Sequence, residues 1–389
     1  MPLPSKRTDI FSESIIRKMT RIANQYNAIN LSQGFPDFDP PPELLERLAQ
    51  TCKTGPHQYA ITWGAKNFRD ALVKKINHCT GLSIESEKNI VVTCGSTEAM
   101  MASVMSVCDP GDKVLIFSPF YENYTADTVL TGALPLYISI DPDTLEFDRK
   151  EFEKAASQGV KALILCNPSN PTGKVFTIDE LEFIASMATK YDFFVITDEV
   201  YEHIVYPPYK HIYFSTLPGM FDRTLSCSSL SKTYSITGWR LGYVFGNEKI
   251  LDRGKKVHDF LTVGAAAPLQ EAAIAGLEMG DEYYAELQNE YIEKKDLFLS
   301  YLDKAGLEYI DPMGAYYVMV KIPAEVSDDN HFAEWLIKNC GVAAVPGSCF
   351  YREPVHSYIR FHFVKKKETL IQAGEKLLLI KQKIGEYRR

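Results

Sequence analysis

Lys232 stands in the run SLSKTYSITGWRLG, Ser229 to Gly242, among small and hydroxyl residues and directly after the stretch TLSCS. Most lysines are solvated surface residues. One sheltered at the end of a strand gives up its proton more easily and becomes a nucleophile or a Schiff-base former. The GWRLG that follows reads as tightly packed chain carrying one arginine, Arg240. A nucleotide-binding Walker lysine would need GxxxxGK, which is absent. Three other segments offer groups of comparable interest. In FFVITDEVYEH, Phe193 to His203, an apolar run ends at Asp198, with Tyr201 three residues on. CNPSNPTG, Cys166 to Gly173, follows the run ALILC and makes a rigid turn of two Asn-Pro pairs and a glycine, with Asn170 inside it. CGSTEAMM places Gly95, Ser96 and Thr97 at the opening of a helix, where free N–H groups and the helix dipole suit a phosphate. Each segment by itself also has an ordinary structural reading as a cap, a loop carboxylate or a turn.

The elements that would position these groups follow from the apolar runs. Strands are expected at 90–95, 113–118, 134–140, 162–166, 193–197, 224–228 and 241–245, and a helix at 96–108, stopped by Asp109-Pro110-Gly111. Several of the strands are apolar throughout, which suits burial on both faces. Strands separated by helices imply an α/β fold with a mostly parallel seven-stranded sheet, and ligands of such sheets sit beyond the carboxyl ends of the strands. All four chemical segments fall at strand ends. After about residue 280 the texture changes. Residues 281–304 read as a charged helix long enough to bridge two domains, and strands at 316–321 and 358–363 flank a helix near 331–339. The expected organisation is an N-terminal arm over 1–45 that joins the small domain, a large domain over 46–290, and a smaller α+β domain over 291–389.

In this order, GSTEA, NPSNPTG, DEVY and SLSKTYSITGWRLG resemble the class I aminotransferases of pyridoxal-phosphate (PLP) fold type I. The opening LSQGFPDFDPP, Leu31 to Pro41, is similar to the kynurenine and methionine aminotransferase branch. The resemblance runs from about residue 30 to residue 363. It implies that Lys232 holds the cofactor as a Schiff base and then moves the substrate α-proton. Asp198 would keep the pyridine nitrogen protonated, and Tyr201 with Asn170 would bond the ring 3′-oxygen. Gly95, Ser96, Thr97, Ser229 and Arg240 would hold the phosphate. Tyr121, in SPFYENY, matches the aromatic stacker over the ring, with Phe120 the neighbouring alternative. Arg360, in YIRFHF, would bind the substrate α-carboxylate, assisted by the Gly34 N–H. Tyr59, in HQYAITWG, corresponds to a tyrosine that reaches the phosphate of a neighbouring subunit, which implies a homodimer with composite sites. The sequence departs from the common pattern just after it, at Ile61, Thr62 and Trp63, near the substrate entrance.

The expected activity is transfer of an amino group from an L-amino acid (aromatic, methionine, kynurenine or aspartate) to a 2-oxo acid such as 2-oxoglutarate by a ping-pong mechanism. A PLP-dependent C–S lyase of the same fold is the alternative, since cofactor motifs are common to both. A PLP-sensing module of a transcription factor would need a DNA-binding domain, for which some 30 residues are too few. A nicotinamide enzyme would need GxGxxG after a strand, and none is present. Phe35, Tyr59, Trp63, Tyr121 and Tyr316 hint at a pocket tolerant of aromatic groups, although packing would use the same residues.

Composition agrees with a globular enzyme. The chain has 389 residues, 46% hydrophobic and 24% charged, and a net charge of −8 that gives no footprint for nucleic acid. Its eight cysteines form no CxxC pair and its eight histidines show no ligand spacing, so no metal is expected. MPLPSKRTDIF lacks an apolar h-region and no run approaches membrane-spanning length, so the cytoplasm is the expected location and no membrane partner is expected.

Overall fold

The computed structural model of the protein describes residues 3, 5–9, 11 and 13–387. In chain order its strands are β1 (Ile29–Asn30), β2 (Ile90–Thr93), β3 (Lys113–Ser118), β4 (Leu134–Ser139), β5 (Val160–Cys166), β6 (Phe194–Asp198), β7 (Thr224–Ser229), β8 (Gly242–Gly246), β9 (Tyr309–Ile310), β10 (Tyr317–Lys321), β11 (Val342–Ala343), β12 (Val345–Pro346) and β13 (Tyr358–His362). Seven of them form one sheet in the order β2-β8-β7-β6-β5-β3-β4. The residues of β2, β7 and β8 are all buried, as expected of a sheet covered on both faces. Only β8 runs against its neighbours, pairing antiparallel with both β2 and β7. Thus β2 points the same way as β5, β6 and β7, and their four carboxyl ends share one edge of the sheet.

The expected strands are all present, with small shifts. β2 stops at Thr93 rather than residue 95, because Gly95 has φ +82 and turns the chain into the helix Ser96–Val107. The positive φ favours glycine at 95, and a Cβ at Gly242 would fall 2.3 Å from the Gly95 carbonyl carbon, so the close approach of these two segments requires glycine there. The 281–304 helix is observed as Asp281–Ala305, 25 residues and roughly 38 Å long.

A second, antiparallel sheet has the order β12-β13-β10-β9. Arg360 lies in the middle of β13, opposite Met319 of β10 and Val345 of β12. Near the other end of the chain, β1 pairs in parallel with β11. One apolar core joins Met19, Ala23 and Leu31 to Phe298, Phe332 and Phe361, and reaches Val200 and Tyr201 beside the large sheet. This packing carries β13 and the helix Ile15–Gln25 to the sheet edge where β5, β6 and β7 end. Among the described residues no helix is long and apolar enough to cross a membrane.

Candidate active site

A cavity of about 440 Å³ opens at that edge. Lys232 follows β7, and its amine lies 6.0 Å from the ring centre of Tyr201 and 5.8 Å from that of Tyr316. Burial lowers its pKa, opposed by Tyr317 and by the Asp198 carboxylate. Lys232 is the one lysine lining the cavity among the described residues. The other buried lysines are engaged elsewhere: Lys75 with Glu202, Lys174 with Glu180, Lys294 with Glu290, and Lys365 with the Phe35 carbonyl.

Asp198 ends β6. Its Oδ2 accepts a 2.7 Å hydrogen bond from the Tyr124 hydroxyl, and its Oδ1 a long one, 3.5 Å, from the Val200 N–H. Burial raises the carboxyl pKa, and these bonds and Lys232 oppose the rise. Asp127, one helical turn beyond Tyr124, is buried too, and burial with the nearby Asp198 charge pushes its carboxyl up to about 8. Tyr201 is buried in the turn after Asp198, its hydroxyl 3.0 Å from that of Tyr317.

Arg360 is 1% exposed. It donates from Nη1 to Asn170 Oδ1 at 2.7 Å and from Nη2 to the Ser32 carbonyl at 2.9 Å. The rings of Tyr317 and Phe350 lie 4.3 and 4.5 Å from its Cζ. Its buried Nε–H has no partner. A buried guanidinium with an unused donor is a ready carboxylate site. Gly34 lines the same end of the cavity, where a Cβ would fall 2.5 Å from the Tyr317 hydroxyl. Its carbonyl accepts a hydrogen bond from Tyr316 at 3.0 Å.

Ser96 and Thr97 open their helix into the cavity beside Ser231, Thr237 and Arg240. Arg240 is anchored to the Thr237 carbonyl at 2.9 Å and the Cys94 carbonyl at 3.4 Å, and remains exposed. Helix N–H groups beside an exposed guanidinium suit a phosphate dianion. Ser229 is placed differently: it is buried at the end of β7, accepts the Ser231 N–H at 3.3 Å and does not line the cavity. Tyr121 lines it and meets Tyr124 edge-on at 5.9 Å, whereas Phe120 turns away and stacks on Tyr137. Tyr59 is also outside, with 86% of its surface exposed.

Sequence motifs do not single out Tyr124, Tyr317 or Ser231. Tyr124 has a weak signal in its i,i+3 spacing from Tyr121; Tyr317 has none, since its position depends on the pairing of β10 with β13. The polar mouth of the cavity also takes Ser14 and Arg17 from the N-terminal segment.

The family described as aminotransferase class I and II matches residues 26–377. The chain belongs to that family. The aminotransferases similar to it include the methionine aminotransferase of Escherichia coli, 34% identical over 96% of this chain and 98% of the relative, and human kynurenine–oxoglutarate transaminase 1, 32% identical over 96% and 97%. The solved structure of an Escherichia coli methionine aminotransferase superposes with a TM-score of 0.93 at 34% identity, covering 97% of this chain and all of that one. That of N-succinyldiaminopimelate aminotransferase from Mycobacterium tuberculosis gives 0.94 at 31%, also over 97% and 100%. The aminotransferase is therefore a PLP-dependent transaminase of fold type I, and the C–S lyase alternative is not favoured. The cavity fits that cofactor: an amine whose pKa burial lowers for the aldehyde, a buried carboxylate for the pyridine nitrogen, and a helix start with Arg240 for the phosphate.

Proposed function

We propose that this one cavity serves both half-reactions, with Lys232 as cofactor lysine and proton carrier and Arg360 as the anchor shared by amino acid and 2-oxo acid. The observation that carries this reading is that the buried Arg360, paired with no carboxylate among the described residues, lines the same cavity as Lys232 and Asp198. When bound, pyridoxal phosphate supplies an electron sink for the pair left at the substrate Cα. Asp198 holds a proton on the pyridine nitrogen, and the Tyr124 hydroxyl fixes the carboxylate for that task. Tyr201 and Asn170 would bond the ring 3′-oxygen, and Tyr121 would cover the ring face. Ser96, Thr97, Ser231 and Arg240 would hold the phosphate, with Gly95 forming the turn into their helix outside the cavity lining and Ser229 bracing Ser231 from behind. Lys232 Nζ takes the proton from Cα and returns it on the far side of the transfer. Arg360 and Gly34 orient the carboxylate so that the Cα–H bond faces that amine.

The donor we propose carries a bulky side chain without charge, of the methionine, kynurenine or aromatic kind. Relatives with those activities and the lining by Ile16, Phe35, Tyr121 and Tyr317 support it. A panel of donors, each with 2-oxoglutarate, oxaloacetate and pyruvate as acceptors, tests it. Turnover restricted to dicarboxylic amino acids would overturn the donor class.

Arg360→Lys is expected to raise KM for donor and acceptor together, because lysine keeps the charge and loses the two-pronged geometry. The loss in transition-state binding should be about 2 to 5 kcal/mol, the scale for breaking a buried charge pair. The visible absorbance of bound cofactor should hardly change. Unaltered kinetics in both half-reactions would place the carboxylate site elsewhere.

The working unit we propose is a homodimer. Tyr59, Ile61, Phe260, Leu261 and Val263 are all exposed, and Tyr59 and Val263 line one groove, which supports a covered apolar face there. Tyr59 would then reach the phosphate in the neighbouring subunit. Tyr59→Phe should raise the dissociation constant for the cofactor about tenfold, the scale of one charge-assisted hydrogen bond, without dissociating the dimer. A fully active monomer in sedimentation and assay at the same concentration would contradict the composite site. The division into arm (1–45), large domain (46–290) and small domain (291–389) is supported by the confinement of the seven-stranded sheet to residues 90–246 and by the β1–β11 pair. Eight free cysteines support a reducing, cytoplasmic location.

A further inference from the structure

The turn that carries Asp198 and Tyr201 has a second face. Asp198 and Tyr201 line the cavity, whereas Glu199, Glu202 and His203 do not. Their side chains join a second polar pocket, one of buried side chains. There Glu202 pairs with Lys75 of the helix Lys66–Thr80, and the two side chains are 3% and 5% exposed. The Tyr243 hydroxyl of β8 lies 3.4 Å from the same Glu202 oxygen and 3.5 Å from the Lys75 amine. His203 Nε2 is 3.4 Å from that oxygen, and the His203 ring stacks on Tyr284 of the Asp281–Ala305 helix at 4.0 Å between centres. His211 lies 3.8 Å from Glu199.

The charges in this pocket are fixed by its burial. Burial alone would raise the Glu202 pKa, but the Lys75 charge and hydrogen bond, together with His203 and His211, bring the carboxyl down to about 2. Lys75 is raised in return: burial works to lower it, and Glu202 with the Tyr243, Tyr284 and Tyr234 hydroxyls together exceed that. Burial, and with it the Lys75 charge, takes His203 down to about 3. Burial also takes His211 to about 4 and lifts Glu199 well above the carboxylate range. So the Lys75–Glu202 ion pair sits among groups that burial drives toward their neutral forms.

A buried ion pair is a poor stabiliser, because apolar side chains of the same volume do as well or better. Its value is positional: neither charge can move without leaving the other unpaired. We propose that Lys75 and Glu202 are positioning residues for the reaction, holding the 198–203 turn from behind so that Asp198 and Tyr201 keep their places in the cavity. The proposal rests on the assignment of Asp198 and Tyr201 to the cofactor made above. Removing Lys75 leaves Glu202 to take up a proton, pass charge to His203 or His211, or pull the turn with it. Asp198 is four residues away on that turn and Tyr201 is adjacent.

The test uses the cofactor-loaded enzyme and three variants: Lys75→Met, Lys75→Arg and the double variant Lys75→Met/Glu202→Gln. Lys75→Met is expected to lower kcat about tenfold, within the range for mutations that couple to a site without touching it, and to move KM of either substrate by less than about twofold. The pH midpoint of the bound cofactor's visible absorbance should shift as well, a signature that loss of stability alone would not move. Lys75→Arg should recover most of both, and the double variant should exceed the single one in kcat because no unpaired charge remains. If Lys75→Met fails to fold, Glu202→Asp keeps both charges and withdraws the carboxylate by one methylene, and the same shift is expected. Folded variants with native kcat and a native absorbance profile, whatever their melting temperature, would overturn the proposal. A native enzyme with no lysine-linked cofactor band would instead overturn the assignment of the cavity.

Discussion

Lys232→Ala is expected to abolish turnover while leaving the protein folded and able to bind its cofactor without a covalent link. Two functions are lost at once. The Cα proton has no carrier, which alone removes roughly 10² to 10⁴ in rate, and the cofactor loses its attachment, which removes more. No other lysine can substitute. Lys75, Lys174 and Lys294 are held by Glu202, Glu180 and Glu290, Lys365 by a backbone carbonyl, and none lines the cavity. The fold should survive because the Lys232 amine has no ion-pair partner to abandon among the described residues; its neighbours are the Tyr201 and Tyr316 rings. Ser96, Thr97 and Arg240 should still retain the phosphate. The lysine-linked absorbance band of the native enzyme should be missing. Borohydride reduction of the native enzyme followed by peptide mapping should label Lys232, and label at a different lysine would refute the assignment.

Asp198→Asn should separate activity from stability. Asparagine fills the same space at the end of β6 and can still meet the Tyr124 hydroxyl, yet it cannot hold a protonated pyridine nitrogen. Turnover should fall by roughly 10² to 10⁴, the range for loss of an electrostatic or acid–base group. Stability should move the other way. An acid whose pKa is raised by burial favours its neutral form in the folded protein, so keeping it charged near neutral pH costs folding free energy. The neutral amide removes that cost. The melting temperature of the cofactor-free variant at pH 7 should therefore equal or exceed that of the native protein. Near-normal turnover would reduce Asp198 to a structural residue.

How much of this was legible in the sequence depended on the range of the interactions. β3, β5 and β6 carry apolar runs (VLIF, ALILC and FVI) and β7 is a run of small residues, so their approximate bounds and the chemistry at their carboxyl ends could be read locally. β1, β9, β11 and β12 are two residues each and exist only because of their partners, and no local pattern marks them. The same distinction runs through the site. Lys232, Asp198 and Asn170 sit in motifs beside strand ends. Tyr317 reaches Tyr201 only through the pairing of β10 with β13 and the packing of that sheet on the 198–203 turn. The hydroxyl-rich SLSK run offers two serines, and only the backbone at the end of β7 determines that Ser231 faces the cavity and Ser229 lies behind it. The ion pair of Lys75 and Glu202 joins residues 127 positions apart, and a lysine on a helix gives no local sign of burial.

One cavity should transfer an amino group in two separable halves. A single-turnover experiment tests it most directly. Cofactor-loaded enzyme is mixed with excess methionine or kynurenine and no acceptor, and the oxo acid and ammonia released are quantified with the visible spectrum. Transamination should give one equivalent of oxo acid per subunit, no ammonia, a halt with a changed spectrum, and recovery of the original spectrum on adding 2-oxoglutarate. Continuing release of ammonia and oxo acid without an acceptor would contradict it and assign the cavity to elimination.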